Sequence, residues 1–188
     1  MTILQDIKAG AIPAHLTVDQ VYDLTAAGVF AENEKFELID GEIVPMAAAK
    51  ADWHAVMTSR LTRRLVRALP DELRLFVEPS VTLSPVRLLE PDLAVWEKGG
   101  LPRQVRGPDL LLVIEVADSS LGYDLRVKAP LYAEHGVPDY WVVDAVRQTI
   151  RTHRAPVDGR YTDVDEHEAD QPVAALLAGV TIRLADLD

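Results

Sequence analysis

The chain of 188 residues contains no cysteine, so it has no disulfide framework and no thiolate chemistry. It also lacks an apolar run long enough for a membrane span. Its first ten residues, MTILQDIKAG, lack the basic and then apolar layout of a signal peptide. A cytoplasmic protein with no membrane partner is the expectation. Basic residues are in short supply: 19 Lys and Arg stand against 30 Asp and Glu, a net charge of −11. That balance argues against a general electrostatic grip on nucleic acid, although segregated charge still permits a local basic surface. Internal repeats and low-complexity segments are absent as well. What is present is a 48% hydrophobic composition, which at this length suits one globular domain over residues 1–188 with a real core.

Residues 1–16 show no clear periodicity and read as an arm. Thr17 and Gln20 have the spacing of a capping box, which predicts a helix to about Ala27 with Gly28 as its stop. Residues 35–39 alternate, Asp40-Gly41 makes a tight turn, and residues 42–47 continue, so a hairpin is expected. Phe36 and Leu38 share one of its faces, Glu37 and Ile39 the other. Residues 52–69 form the clearest helix, with an apolar stripe of Ala55, Val56, Leu61, Leu65, Val66 and Leu69, and Pro70 as its stop. Arg60, Arg63, Arg64 and Arg67 make a cationic face on it. That face suits either a solvated surface paired with Asp and Glu, the more ordinary case, or one that follows phosphates. His54 reads as structural or interfacial.

Short strands follow at residues 73–77, 81–83 and 93–96. A loop rich in Gly, Pro and Arg then spans residues 97–108. The run 110–116 barely alternates, which places it near the centre of a sheet, buried on both faces. After a turn at residues 118–122 a helix is expected to end near His135, with Gly136 beyond it. Residues 140–143 form the next core strand. Residues 149–153 and 161–164 read as a peripheral hairpin, residues 163–170 as a solvated acidic edge, and residues 180–184 as a last strand.

Two of these apolar runs carry a carboxylate. Asp92 opens the run Leu93-Ala94-Val95-Trp96, and Glu115 interrupts the run from Leu110 to Val116. An ionised carboxylate in an apolar setting is costly unless compensated, and a cation is the usual compensation. The ordinary compensations are an arginine partner or a place at the sheet end. Lys128 follows on the next helix. Asp, Glu and Lys on successive core elements could hold a divalent metal and a water beside it.

The words Pro91-Asp92, Glu115-Val116-Ala117, then Asp124, Lys128 and Tyr132, then Gly136-Val137-Pro138-Asp139-Tyr140-Trp141-Val142-Val143-Asp144 form a dense ordered series. With Phe36-Glu37-Leu38-Ile39-Asp40-Gly41-Glu42, the series resembles the Uma-type restriction endonucleases, a bacterial family within the PD-(D/E)XK nuclease superfamily, over residues 17–185. The resemblance implies a restriction endonuclease-like α/β fold. That is a mixed sheet flanked by helices, with an N-terminal helix plus hairpin and a C-terminal β extension. Its core would be residues 52–144, in the order helix, three strands, helix, strand, with a parallel crossover. It also implies an endonuclease dependent on Mg²⁺ or Mn²⁺ and acting on DNA, as a homodimer where both strands are cut. Asp92 and Glu115 would ligate the metal, with the Val116 carbonyl as a third ligand. Glu37 would complete the shell directly or through water, with Glu42 as a lesser substitute. Lys128 would orient the water or stabilise charge on the phosphate.

Two features depart from the superfamily pattern. The usual lysine position, two residues after the Glu, holds Ala117, so the lysine must come from the next helix. Pro130 lies inside that helix and must start or bend it. Two other functions compete. One is a nuclease-fold binding or assembly module with weak or no catalysis. The other is a metal-dependent hydrolase of RNA or nucleotides.

Overall fold

The structure, a computed structural model, describes residues 15–30, 34–46 and 51–187. All but the last two residues of the expected arm lie outside these, as does Ala47 at the end of the expected hairpin. Helix α1 (Val18–Ala26) starts as its capping box dictates: Thr17 Oγ1 accepts from the Gln20 amide at 3.2 Å, and Gln20 Oε1 accepts from the Thr17 amide at 2.8 Å. Strands β1 (Phe36–Ile39) and β2 (Glu42–Pro45) flank a turn in which Asp40 and Gly41 both have positive φ, 51° and 83°. Helix α2 (Asp52–Ala68) leads to β3 (Leu73–Val77), β4 (Val81–Ser84), β5 (Arg87–Leu89), β6 (Leu93–Glu97) and β7 (Leu112–Ala117). Three helical pieces then run on without a break: α3 (Leu121–Tyr123), a π-helical segment (Asp124–Lys128) and α4 (Ala129–Glu134). Strands β8 (Asp139–Asp144), β9 (Thr149–Val157) and β10 (Arg160–His167) follow, and then the short pair β11 (Val173–Ala174) and β12 (Thr181–Ile182).

The main sheet has the order β10-β9-β8-β7-β6-β3. Its pairs are antiparallel except β7 with β8, which run parallel across the helical connection. Every residue of β7 and β8 is buried, as the unbroken apolar runs require of central strands. A second sheet, β2-β1-β5-β4, is antiparallel throughout. The main sheet takes β3, β6 and β7 between α2 and the helical connection, the three strands expected there. The strand at residues 81–83 is not part of the core sheet but pairs with β5, a strand of three residues that pattern reasoning passed over. The β4–β5 excursion therefore ties the N-terminal hairpin to the start of β6.

Alternation divides the core. Leu93, Val95, Leu112, Ile114 and Val116 face α2, while Ala94, Trp96, Val113, Ala117 and Tyr140 face α4 and the small sheet. The buried face of α2 is His54, Met57, Leu61 and Leu65. Val56 and Val66, expected in the stripe, are 40% and 62% exposed. They lie well off the 54-57-61-65 line on a helix turning 100° per residue. The loop after β6 is pinned rather than loose. Trp96 Nε1 donates to the Gly100 carbonyl at 2.9 Å, and the Arg103 guanidinium lies 3.5 Å over the Tyr22 ring. A Cβ on Gly107 would sit 1.9 Å from the His135 carbonyl oxygen, so only glycine fits there.

On β9, His153 is buried between Tyr140 and Tyr161, and its Nδ1 has no hydrogen-bond partner among the described residues. Burial pushes its pKa down from 6.5 to about 4. The unfolded chain therefore binds this proton more readily between those values, and stability falls as pH drops through that window. Thermal melts from pH 7 to pH 4 should lose part of that slope in His153→Phe; an identical slope in both proteins would contradict this placement.

Candidate active site

Alternation aims two strand carboxylates at one place. Asp92, just before β6, shares the face of Ala94 and Trp96; Glu115 shares the face of Val113 and Ala117. Both are buried. The Asp92 carboxylate is fixed on both oxygens: Oδ2 accepts from the Val116 amide at 2.8 Å, and Oδ1 lies 3.0 Å from His54 Nε2. Among the described residues both hydrogen bonds to Glu115 fall on Oε1, from Lys128 Nζ at 3.0 Å and the Tyr132 hydroxyl at 3.2 Å. That arrangement leaves Oε2 for the cavity these residues line.

Glu37 arrives from the other sheet. The β1–β5 pairing, Leu38 opposite Leu88, sets its height, and the chain leaving β5 closes on it. Its Oε1 accepts from the Glu90 amide at 3.1 Å and lies 3.0 Å from Lys128 Nζ, while Oε2 accepts from the Tyr123 hydroxyl at 3.2 Å. The structure thus brings Glu37, Asp92, Glu115 and Lys128 to one cavity of about 440 Å³, lined also by His54 and Asp124. Glu42, the lesser substitute for Glu37, is exposed on β2.

Lys128 owes its aim to the π-segment. The Ala129 amide reaches back to the Asp124 carbonyl, five residues earlier, and Pro130, which has no amide hydrogen, sits in the first turn of α4. The expected break is therefore a widened turn. It turns Lys128 inward to 4% exposure and leaves Arg126 exposed. Its ammonium also lies 4.0 Å from Asp124 Oδ1.

Four residues of this group were not assigned to the site from sequence. His54 holds Asp92, Tyr123 holds Glu37, Tyr132 holds Glu115, and Asp124 accepts from Ser120 Oγ at 2.7 Å while facing Lys128. The signal for His54 was its place seven residues before Leu61, on the buried line of α2. Asp124 and Tyr132 stood in the ordered series of the family resemblance without a role, and nothing in the sequence pointed to Tyr123.

Four carboxylates surround one lysine, so negative charge is in excess. Burial pushes the Glu115 carboxyl well above its ordinary range; Lys128 opposes that shift, and Asp92, Asp124 and Glu37 add to it. Burial raises Asp124 too, again against Lys128. For Lys128, burial works against the charge, but Glu115, Glu37 and Asp124 outweigh it and hold the ammonium above the ordinary lysine value. Removing it would leave three buried carboxylates without their counter-charge, a cost of roughly 3–5 kcal/mol. The tyrosine hydroxyls are shifted upward by burial and stay donors.

The donor chemistry fits a hard divalent cation. Mg²⁺ is commonly held by one or two carboxylates, with waters and substrate phosphate completing the shell. Among the described residues no three His, Asp or Glu side chains close around a metal-sized point. Lys128 takes the centre of the Glu37, Glu115 and Asp124 group, leaving Asp92 and Glu115 as the carboxylate pair for such an ion.

A family model described as "Putative restriction endonuclease", Uma2, matches residues 18–185. Among solved structures, one described as "a putative nuclease belonging to DUF820", from Anabaena variabilis ATCC 29413, matches with a TM-score of 0.71 at 18% identity, covering 91% of this chain and 96% of that one. The fold is that of the restriction endonuclease-like proteins. No curated protein matches the chain. No helix among the described residues is long and apolar enough to cross a membrane.

The charge excess has a measurable consequence. Folded Glu115 holds its proton to a higher pH than the unfolded chain, whose value is 4.5, so stability falls as pH rises above that value. Glu115→Gln should raise the melting temperature of the metal-free protein at pH 8, and the gain should shrink toward pH 5. An equal loss of stability at both values would show that Glu115 is a stabilising ion-pair partner instead.

Proposed function

The chain belongs to the Uma2 family of nucleases, and from that membership and the cavity just described we propose a divalent-metal-dependent endonuclease acting on DNA in the cytoplasm. The observation that carries this is the carboxylate excess at the cavity, with Asp92 at the entry to β6, Glu115 on the adjacent β7 and Lys128 beside Glu115. Asp92 and Glu115 would hold Mg²⁺ or Mn²⁺. The Val116 carbonyl, next in the chain to Glu115, is the further ligand we propose. When bound, such an ion screens the phosphate's charge and makes a coordinated water more acidic.

The protein's own groups do the rest. His54 and the Val116 amide hold the Asp92 carboxylate in one orientation, and Tyr132 does the same for Glu115. Such outer partners fix ligand direction. Lys128 is held protonated, so it cannot serve as the base. Its ammonium suits the charge that builds on the phosphate oxygens as water attacks phosphorus and the bond to the leaving oxygen breaks. Glu37, steadied by Tyr123 and the Glu90 amide, keeps that ammonium at the cavity edge. The described residues form one such cavity, so cutting both strands of a duplex at once takes two copies.

One observation favours a second reading. The ammonium already neutralises part of the carboxylate group, and no three ligating side chains are preset around an ion among the described residues. A nuclease-fold module that binds without cutting would look like this.

The two readings separate in one set of assays. Mg²⁺ or Mn²⁺ should raise the melting temperature and support nicking of plasmid or cleavage of single-stranded DNA. Asp92→Asn should lose both effects. Lys128→Gln, with folding checked by circular dichroism, should keep the metal-induced rise but lower turnover by roughly 100-fold or more. Metal binding with no cleavage of any nucleic acid would favour the module, and full cleavage by Asp92→Asn would overturn the metal assignment.

A further inference from the structure

One face of α2 remains without a role in the site or the core. On a wheel of 100° per residue, Trp53, Val56, Arg60, Arg63 and Arg67 fall within about 80° of one another. Trp53 is 58% exposed, whereas Trp96 and Trp141 are buried. Arg63 and Arg67 are exposed and Arg60 half-buried. In a protein of net charge −11, acidic partners for these arginines are plentiful. Yet among the described residues Arg60, Arg63 and Arg67 form no ion pair. Arg64, on the flank of the stripe, is used internally, donating to the Thr181 carbonyl at 3.2 Å. The stripe also starts at the cavity: Ala51 and His54, on either side of Trp53 in the chain, both line it.

We propose that this stripe receives one unpaired strand of DNA and leads it to the carboxylate cavity, a proposal that rests on the nuclease reading above. Trp53 stacks on a base beside the phosphate at the cavity, and Arg60, Arg63 and Arg67 follow the phosphates leading away. Arg60 and Arg67 are about 10 Å apart along the axis at 1.5 Å per residue, so they meet different phosphates of an extended strand rather than the same one. Charge sets the path of the strand, since arginines unpaired among the described residues match phosphates. The indole selects for unpaired bases, because a base in a duplex already has both faces stacked. A single cavity then suffices, because one strand needs one cut. A second copy of the chain fits the stripe poorly: across a two-fold axis the face meets itself, arginine against arginine.

The test uses the full chain without added metal, so binding is read without cleavage. Tryptophan emission is followed during titration with a 12-nucleotide single strand and with a blunt duplex of the same sequence. The single strand should quench emission through Trp53, and the duplex should do so far less. By anisotropy of a labelled strand, Trp53→Ala should weaken binding roughly 5- to 150-fold, the range for one base–aromatic stack. Trp53→Phe should retain most of the affinity. Replacing Arg60, Arg63 and Arg67 together by Gln should lower the slope of log affinity against log salt by about 2. Unchanged affinity in Trp53→Ala, or equal quenching by the blunt duplex, would overturn the proposal. So would an arginine triple variant that alters only the oligomeric mass. A protein that cuts DNA while Trp53→Ala binds normally would sink this inference alone; one that binds as described but never cuts would sink the nuclease reading alone.

Discussion

Lys128 holds an ammonium among Glu37, Glu115 and Asp124, three carboxylates cut off from bulk water, and with Asp92 nearby the group still carries excess negative charge. A purely structural cluster would be expected to balance its charge, because burying an uncompensated carboxylate costs several kcal/mol. The imbalance is sustained by fixed hydrogen bonds from Tyr123, Tyr132, Ser120 and two backbone amides. These donors hold the carboxylates in place without cancelling their charge. The proposed cation and phosphate would require that condition: carboxylates already oriented, and a charge imbalance for the ion to offset.

The fold serves this arrangement through two devices. The β4–β5 excursion carries the N-terminal hairpin against the core sheet, so that Glu37 on β1 and Asp92 before β6 meet although 55 positions of sequence separate them. The π-segment supplies the second. It turns the Lys128 ammonium in between Glu37 and Glu115, while Ala117, two residues after Glu115, packs with Ala129 within one apolar cluster. A widened turn next to a proline costs helix hydrogen bonding, and it recurs in proteins where function needs a side chain re-aimed.

Local rules made some of the molecule readable in advance. Thr17 and Gln20 form the capping box their spacing implies, Asp40-Gly41 forms the hairpin turn, and the unbroken apolar run after residue 110 forms a central strand. Asp92 and Glu115 stood out because carboxylates in apolar strands need a reason. Lys128 joined them as the lysine on the next core element, whereas Glu37 came mainly from the family resemblance. What escaped notice depends on tertiary contact. β5 has three residues between prolines and exists because β1 and β4 flank it. His54 lay on the true buried line of α2, but Val56 and Val66 drew the stripe elsewhere. Tyr123 and Tyr132 are ordinary helix residues until the fold brings carboxylates to their hydroxyls. The proline signalled a break in the helix, but the direction Lys128 takes comes from the register of the π-turn.

The proposed seat for a divalent cation lies at Asp92 and Glu115. The most direct measurement is an anomalous difference map from crystals soaked in Mn²⁺. A single strong peak should appear within coordination distance of Asp92 and Glu115, with Lys128 still beside Glu37. A map without a peak there, or with manganese only on surface carboxylates such as those of β10, would contradict it.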